Sequence, residues 1–326
     1  MSHARITALL SFIVIGIVQA APACAQAYPT RPIRMVVGFP PGGFTDILAR
    51  QVGDRLTPVM GQTIVIDNRG GQAGIIGADH AAKSKPDGYT LLMGHNNSNA
   101  VAPSLYTKLP YDVRKDFIPI ALTGSVATVL VVHPSVPAKS MKEFIVVVSS
   151  TKGQFRVASA GVGSTQHLAI ERFKLATGTQ LIHVPYKGSG PAAIDLMGGH
   201  VDANFDGIGV VLPYVRAGKL RALGVGTMER IPQMPELRTM HEQGLVNFES
   251  GSWFGVFAPA GTPAAITEQW STALRTLQAQ SEFAARIVSL GGQLAKPNTP
   301  AEFVKFIDLE IERWGKIIRA ANVRLD

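Results

Sequence analysis

Apolar runs that end in glycine-rich turns and reopen as helical patterns recur along this chain, which points to an α/β fold. The first is Phe39-Pro40-Pro41-Gly42-Gly43-Phe44-Thr45-Asp46. It lies between the apolar run Ile33–Phe39 and a helical pattern of Ile47, Leu48, Val52 and Leu56, which is expected to stop at Pro58. A strand that stops in Pro-Pro-Gly-Gly and restarts as a helix leaves bare amides at the positive end of the helix dipole. Such an end attracts anions. The competing reading is a tight strand-to-helix turn that holds nothing.

The same logic repeats. Thr63–Asp67 reads as a strand leading into Asn68–Gly77, a second glycine-rich turn that includes Gly74, with a helix from Ala78 to Ala82. Tyr89–Met93 is an apolar strand ending in Gly94-His95-Asn96-Asn97-Ser98-Asn99. Ligands gather at the carboxyl ends of strands in open α/β sheets, so these three turns are expected on one rim. Phe117–Leu122 and Thr128–His133 read as two further strands, and Lys142–Ser150 as a helix despite its valines. The middle third then repeats the first. Strand Arg156–Ala160 ends in Gly161-Val162-Gly163-Ser164-Thr165 and opens a helix; Leu181–Pro185 leads to Tyr186-Lys187-Gly188; Val201–Asp206 has a polar end. Trp253–Pro259 reads as a strand, and two helices are expected to finish the chain. The last carries the stripe Phe303, Phe306, Ile307, Ile311, Trp314, Ile317 and Ile318, which reads as core packing.

The N-terminus has the pattern of a secretory signal peptide. Arg5 precedes an apolar run from Ile6 to Val18, and Ala25-Gln26-Ala27 is a small-x-small site, so cleavage is expected after Ala27. The only cysteine, Cys24, falls inside that segment, where lipidation is a second reading. The mature chain would therefore hold no disulfide, cysteine nucleophile or thiolate metal site. Removing Arg5 takes the formal charge from +8 to +7. Lys and Arg are scattered rather than clustered with aromatics, so solvated surface charge is expected and nucleic acid is not.

Several ordered motifs resemble one family. Tyr28-Pro-Thr-Arg-Pro-Ile-Arg34 and Phe39–Asp46 are followed by Asn68-Arg69 with its glycine turn and by Pro86-Asp-Gly-Tyr-Thr-Leu-Leu92. Gly163-Ser-Thr-Gln-His-Leu168, His183-Val-Pro-Tyr-Lys-Gly188, Ala217-Gly-Lys-Leu-Arg-Ala-Leu223 and Ala258-Pro-Ala-Gly-Thr-Pro263 come later. Together they are similar to the substrate-binding proteins of tripartite tricarboxylate transporters, the Bug receptors. The resemblance covers the whole mature chain. It implies a periplasmic binding protein type II-like fold of two α/β lobes with a ligand cleft and two crossover strands. Lobe 1 is expected at 28–125 and 251–326 and lobe 2 at 126–250. It also implies a periplasmic, monomeric receptor without cofactor that hands a small carboxylate to the membrane subunits of a tripartite transporter. Two features depart from the family pattern. No proline separates Arg69 from Gly70, and Phe44 stands where Ser or Gly is common.

The expected clamp is two helix N-termini, one per lobe, with Phe39, Pro41, Gly42–Thr45, Gly161, Gly163, Ser164 and Thr165 around the anion. Ser164 and Thr165 suit helix capping as well as they suit ligand contact. His167 either touches ligand or packs. Asp46 is expected to orient its own loop, and Asp206 either to meet the far end of a ligand or to cap the next turn. His95, Asn96, Asn97 and Ser98 offer mixed donors and acceptors, Gly74 closes the rim, and Lys187 is either a cleft cation or a solvated one. A serine hydrolase is disfavoured, because the chain has Gly161-Val-Gly-Ser-Thr where a nucleophile elbow needs Gly-x-Ser-x-Gly. Dispersed histidines argue against a metal site. A sensing module with a signalling partner would need the same hinged capture as a transport receptor.

Overall fold

Two triplets of parallel strands carry the turns. In the first, β1 (Ile33–Val37) pairs with β2 (Ile64–Asn68) on one side and β3 (Thr90–His95) on the other, linked by α1 (Phe44–Met60) and α2 (Ile75–Ala82). After the short α3 (Ala102–Leu105), β4 (Phe117–Val132) and α4 (Met141–Ser150), the second triplet repeats that order. There β5 (Arg156–Ser159) lies between β6 (Ile182–Pro185) and β7 (Ala203–Gly207), linked by α5 (Thr165–Thr177) and α6 (Ser189–Met197). The computed structural model describes residues 28–320 and 323–324, so the expected signal peptide, its cleavage point and Cys24 lie outside the described residues. In β1 every residue but Arg34 is buried, as a strand covered on both faces requires.

Between the triplets stands an antiparallel pair. β9 (Gly251–Pro259) lies between β3 and β4, giving the order β2-β1-β3-β9-β4-β7-β5-β6. β4 is a single strand of 16 residues. Its first part, Phe117–Ala127, pairs with β9, and its last part, Thr128–Val132, pairs with β7 and with β8 (Arg221–Val225). One strand thus belongs to both lobes. The two separate strands expected here are one, and the register shifts between Pro119 and Ala121 and between Leu122 and Gly124 explain the misreading. Gly124 looks like a break in sequence. In the fold it is a close approach, since a Cβ there would lie 2.8 Å from the Gln293 carbonyl of β10 (Gln293–Leu294). At the joint, the Thr128 hydroxyl bonds the Ser250 carbonyl at 2.8 Å and also meets the Ser250 hydroxyl.

Local signals decide the remaining boundaries. α1 runs through Pro58 and ends at left-handed Gly61 (φ 70°), whose N–H reaches the Thr57 carbonyl. Proline so close to the C-terminus frees only one carbonyl, which an exposed last turn tolerates. α2 starts at Ile75, three residues before expectation, because the turn closes at left-handed Gly74. α4 forms despite its valines through a capping box: the Ser140 side chain accepts from the Glu143 N–H, and the Glu143 carboxylate accepts from the Lys139 N–H at 2.7 Å. α7 (Ile208–Arg216) follows β7. Three helices, not two, follow β9: α8 (Ala264–Gln278), α9 (Ser281–Ser289) and α10 (Pro300–Ala320).

The stripe of α10 packs as expected. Phe303, Ile307, Ile311, Trp314 and Ile318 are buried with Trp253 and Phe257 of β9. The indole N–H groups of Trp253 and Trp314 both donate to Glu310, at 3.1 and 3.0 Å, so this buried carboxylate is satisfied. The packing leaves no room at Gly255. A Cβ there would stand 2.2 Å from the Phe303 ring and 2.9 Å from the Ala121 carbonyl. We therefore expect Gly255→Val to destabilise the fold by about 1–3 kcal/mol or more, seen as a lowered Tm. An unchanged Tm would contradict the seating of α10 on β9.

Candidate functional site

The first turn is built around Asp46. Its carboxylate is buried and accepts from the Gly42 N–H at 3.1 Å, from Arg50 Nε and a terminal guanidinium nitrogen at 3.0 and 2.9 Å, and from Asn68 Nδ2 at 3.0 Å. Burial opposes ionisation, but the bonds from Arg50, Gly42 and Asn68 outweigh it and hold this carboxyl below its usual range. The Asn68 amide also reaches the Phe39 carbonyl, which ties β2 to the turn. Asp46 therefore organises the loop, as its position suggested. Left-handed Gly42 (φ 88°) makes the bend, and exposed Gly43 is the N-cap of α1, with no side chain capping the helix. Gly43 itself has an extended backbone that any residue adopts. The nearest atom to a Cβ there would be the Pro40 carbonyl at 3.9 Å. Neither backbone strain nor crowding requires glycine at this position.

Three turns do share one rim. Phe39 lies on His95, with ring centroids 4.7 Å apart, and a Cβ on Gly74 would stand 3.1 Å from Phe39 and 3.5 Å from Ser98. Residues Asn97–Val101 form a single π-helical turn, and His95 through Asn99 are buried. His95 Nδ1 accepts from the Asn97 N–H at 3.0 Å, and burial pushes the histidine down to about 3, so it is neutral. Pro41 is exposed at the mouth of the first turn.

The matching turn of the second lobe is self-supporting. The Ser164 side chain caps α5 by accepting from the His167 N–H, and the Ser164 N–H reaches the Gly161 carbonyl. His167 Nδ1 accepts from the Gly163 N–H at 3.1 Å. The His167 ring stacks on His183 at 4.1 Å, and His183 Nε2 meets the Ser159 hydroxyl at 2.6 Å. Burial lowers both histidines to about 4, with smaller contributions from Lys174 and, for His183, from the neighbouring imidazole. Ser164 is thus a cap with no general base on its hydroxyl.

Thr165 joins the lobes. Its hydroxyl is within hydrogen-bond distance of Asn96 Nδ2 at 3.1 Å, Asn97 Oδ1 at 2.9 Å and the Ser252 hydroxyl at 3.2 Å. The segment His95–Asn97 accordingly has Phe39 of the first turn on one side and Thr165 of the second on the other. A further junction lies where α7 meets the end of α9. A Cβ on Gly291 would stand 2.4 Å from the Gly209 Cα, and Gln233 Nε2 donates to the carbonyls of Val288 and Gly292 at 3.1 and 2.9 Å.

Asp206 is a knot rather than a free acid. It accepts from Ser189 at 2.7 Å, the Gly207 N–H at 2.8 Å, Asn204 at 3.0 Å and Gln166 at 3.2 Å, so it caps the following turn and binds α5 to α6. Burial raises its carboxyl against those four bonds. Lys187 is exposed. Ser252, Phe254, Gln166, Ser189 and Asn204 are the participants that sequence reading missed. All but Asn204, which bonds Asp206 two residues on, gain their partners through contacts far along the chain, and no local pattern marks them.

Comparison with known proteins agrees with this architecture. A sequence profile described as the tripartite tricarboxylate transporter family receptor matches residues 48–323. Protein BugT of Bordetella pertussis is 38% identical and covered end to end by the alignment, which spans 100% of both chains. Among solved structures, an R. palustris protein with adipate superposes with a TM-score of 0.87 at 34% identity, covering 91% of this chain and 99% of the other. MatC from Rhodopseudomonas palustris with bound malate gives 0.82 at 34% identity, covering 89% of this chain and 100% of the other. The family and these structural neighbours are solute-binding receptors, not enzymes. By profile, by end-to-end relative and by fold, the chain belongs to the family of tripartite tricarboxylate transporter receptors.

Proposed function

We propose that this receptor captures a small carboxylate between the turn at Gly42–Thr45 and the turn at Gly163–Thr165. Closure of the two lobes then marks it as loaded for the membrane subunits of a tripartite tricarboxylate-type transporter. The observation that carries the reading is Gly43. It is a helix N-cap without a capping side chain, and the space its Cβ would take is open, as an anion seated on the first amides of α1 would need. Relatives holding adipate and malate support the ligand class. Asn96, Asn97 and Thr165 bond one another between the two turns and tie the lobes together in the closed form. We take lobe 1 as residues 28–125 and 251–326 and lobe 2 as 126–250, with strands β4 and β9 as the hinge between them. We take the protein to act as a periplasmic monomer, the location being supported by the family's role as a transporter receptor.

Calorimetric unfolding with mono-, di- and aromatic carboxylates tests this. A ligand at a hundred times its Kd should add about 2.7 kcal/mol of stability. A response to sugars or cations with none to any carboxylate would overturn the reading. Gly43→Ala keeps the backbone N–H but puts a methyl in the open space; it should leave the ligand-free Tm nearly in place and weaken carboxylate binding about tenfold or more, by pushing the anion off one charge-assisted bond.

The turns also carry a pH signature. Unfolded histidines take up protons near 6.5, whereas His167 and His183 do so near 4 and His95 near 3. Between those values the unfolded chain binds more protons, so stability is present above about 6.5 and is lost as pH falls toward 4. Asp206, with its raised carboxyl, acts in the opposite sense just above the usual carboxylate range. We expect Tm to drop steadily over that window and His183→Gln to flatten the slope. A Tm flat from pH 7 to 4.5 would contradict the neutral, buried histidines.

A further inference from the structure

We propose that Phe44 is the selectivity-determining residue of the cleft, and that the carboxylate it favours has an apolar body, a ring or a methylene chain, rather than a hydroxylated one. This rests on the carboxylate reading above and deepens it.

Phe44 is the first residue of α1, immediately after Gly43, so any anion on the first amides of that helix brings the rest of its molecule to this ring. The ring is half-buried and cannot withdraw. It lies against Gly292, where a Cβ would be 2.1 Å from its Cζ, and tilts on Phe254 at 5.3 Å. The Gly292 segment is itself pinned, because Gly291 touches Gly209 of the other lobe and Gln233 holds the Gly292 carbonyl. From Phe44 a chain of touching rings follows: Phe254 meets His95 at 5.2 Å, and His95 meets Phe39 at 4.7 Å. Phe254 and His95 are buried and back the two partly exposed rings, Phe44 and Phe39, so a flat or aliphatic body laid between the two turns would rest on those two and exclude water from them.

The polar groups nearby point the same way. Arg50 is engaged by Asp46 and Asn68, and Arg69 by Asp67. Asn96, Asn97, Thr165 and Ser252 bond one another. A ligand hydroxyl would have to break that set to find a partner, whereas an apolar body leaves it intact. Anion charge is met by backbone amides, which do not distinguish one carboxylate from another. Discrimination therefore falls to the ring beside them.

Titration calorimetry of the wild type, Phe44→Ala and Phe44→Leu with malate, adipate and benzoate tests the assignment, with the ligand-free Tm reporting folding. In the wild type, adipate or benzoate should bind at least about tenfold tighter than malate. Phe44→Ala should shrink that ratio by about tenfold, with malate itself moving by less than about threefold. Phe44→Leu, which keeps the apolar volume, should retain adipate and lose benzoate. If malate is preferred by the wild type, or if Phe44→Ala weakens all three alike, Phe44 is not the selector although the carboxylate reading stands. If none of the three nor any other carboxylate binds the wild type, both readings fall together. Should Phe44→Ala not fold, the wild-type order and Phe44→Leu decide.

Discussion

The antiparallel contact between β4 and β9 is the interaction on which the rest of the molecule depends. Each parallel triplet could be built from local strand–helix units, but neither would face the other without a shared strand. β4 supplies it by giving its first part to β9 and its last part to β7 and β8. The joint at Thr128 and Ser250 is crowded on all sides. A Cβ on Gly226 would collide with the Ser250 hydroxyl, and one on Gly251 would stand 2.8 Å from the Val126 carbonyl. Such a joint allows rotation about backbone dihedrals but little sliding, which is what a hinge between lobes asks of its strands.

Much of this is legible in the sequence. Strand–turn–helix units announce themselves through glycine and apolar periodicity, so β1, β2, β3, β5 and β6 lie where the runs placed them. The capping pattern at Ser140 and Glu143 outweighs the β-branched run that follows it, because a cap is worth more than a few tenths of propensity per valine. The unity of β4 was not legible. Gly124 signals a break when read alone, and only the arrival of β10, some 170 residues on, explains why no side chain fits there. Asp46 could be assigned to its own loop because its partners Gly42 and Arg50 are four residues away on either side. Thr165 has no such local partners; those it meets stand 69, 68 and 87 residues distant.

The electrostatics of the cleft are those of dipoles rather than ions. Asp46 and Asp206 are saturated by protein donors, the histidines are neutral, and the arginines nearest the first turn are paired. An incoming anion thus meets helix ends and amides in a setting with few mobile counter-charges. Preorganised amides cost little to align, since the turns are already fixed by the glycines and by the Asp46 and His167 hydrogen bonds.

The place of β9 in the sheet has a consequence for the order of assembly. It lies between β3 and β4 in space, yet it follows both by more than a hundred residues. A nascent chain that has emerged only as far as Ser250 therefore has a gap in the middle of its sheet, with two strand edges waiting for a partner. The second triplet and β8, complete by Val225, need nothing further to pair with β4. Folding from the N-terminus onward should thus finish the later lobe before the earlier one, and the first lobe stays open to misplaced strands until its last third is inserted.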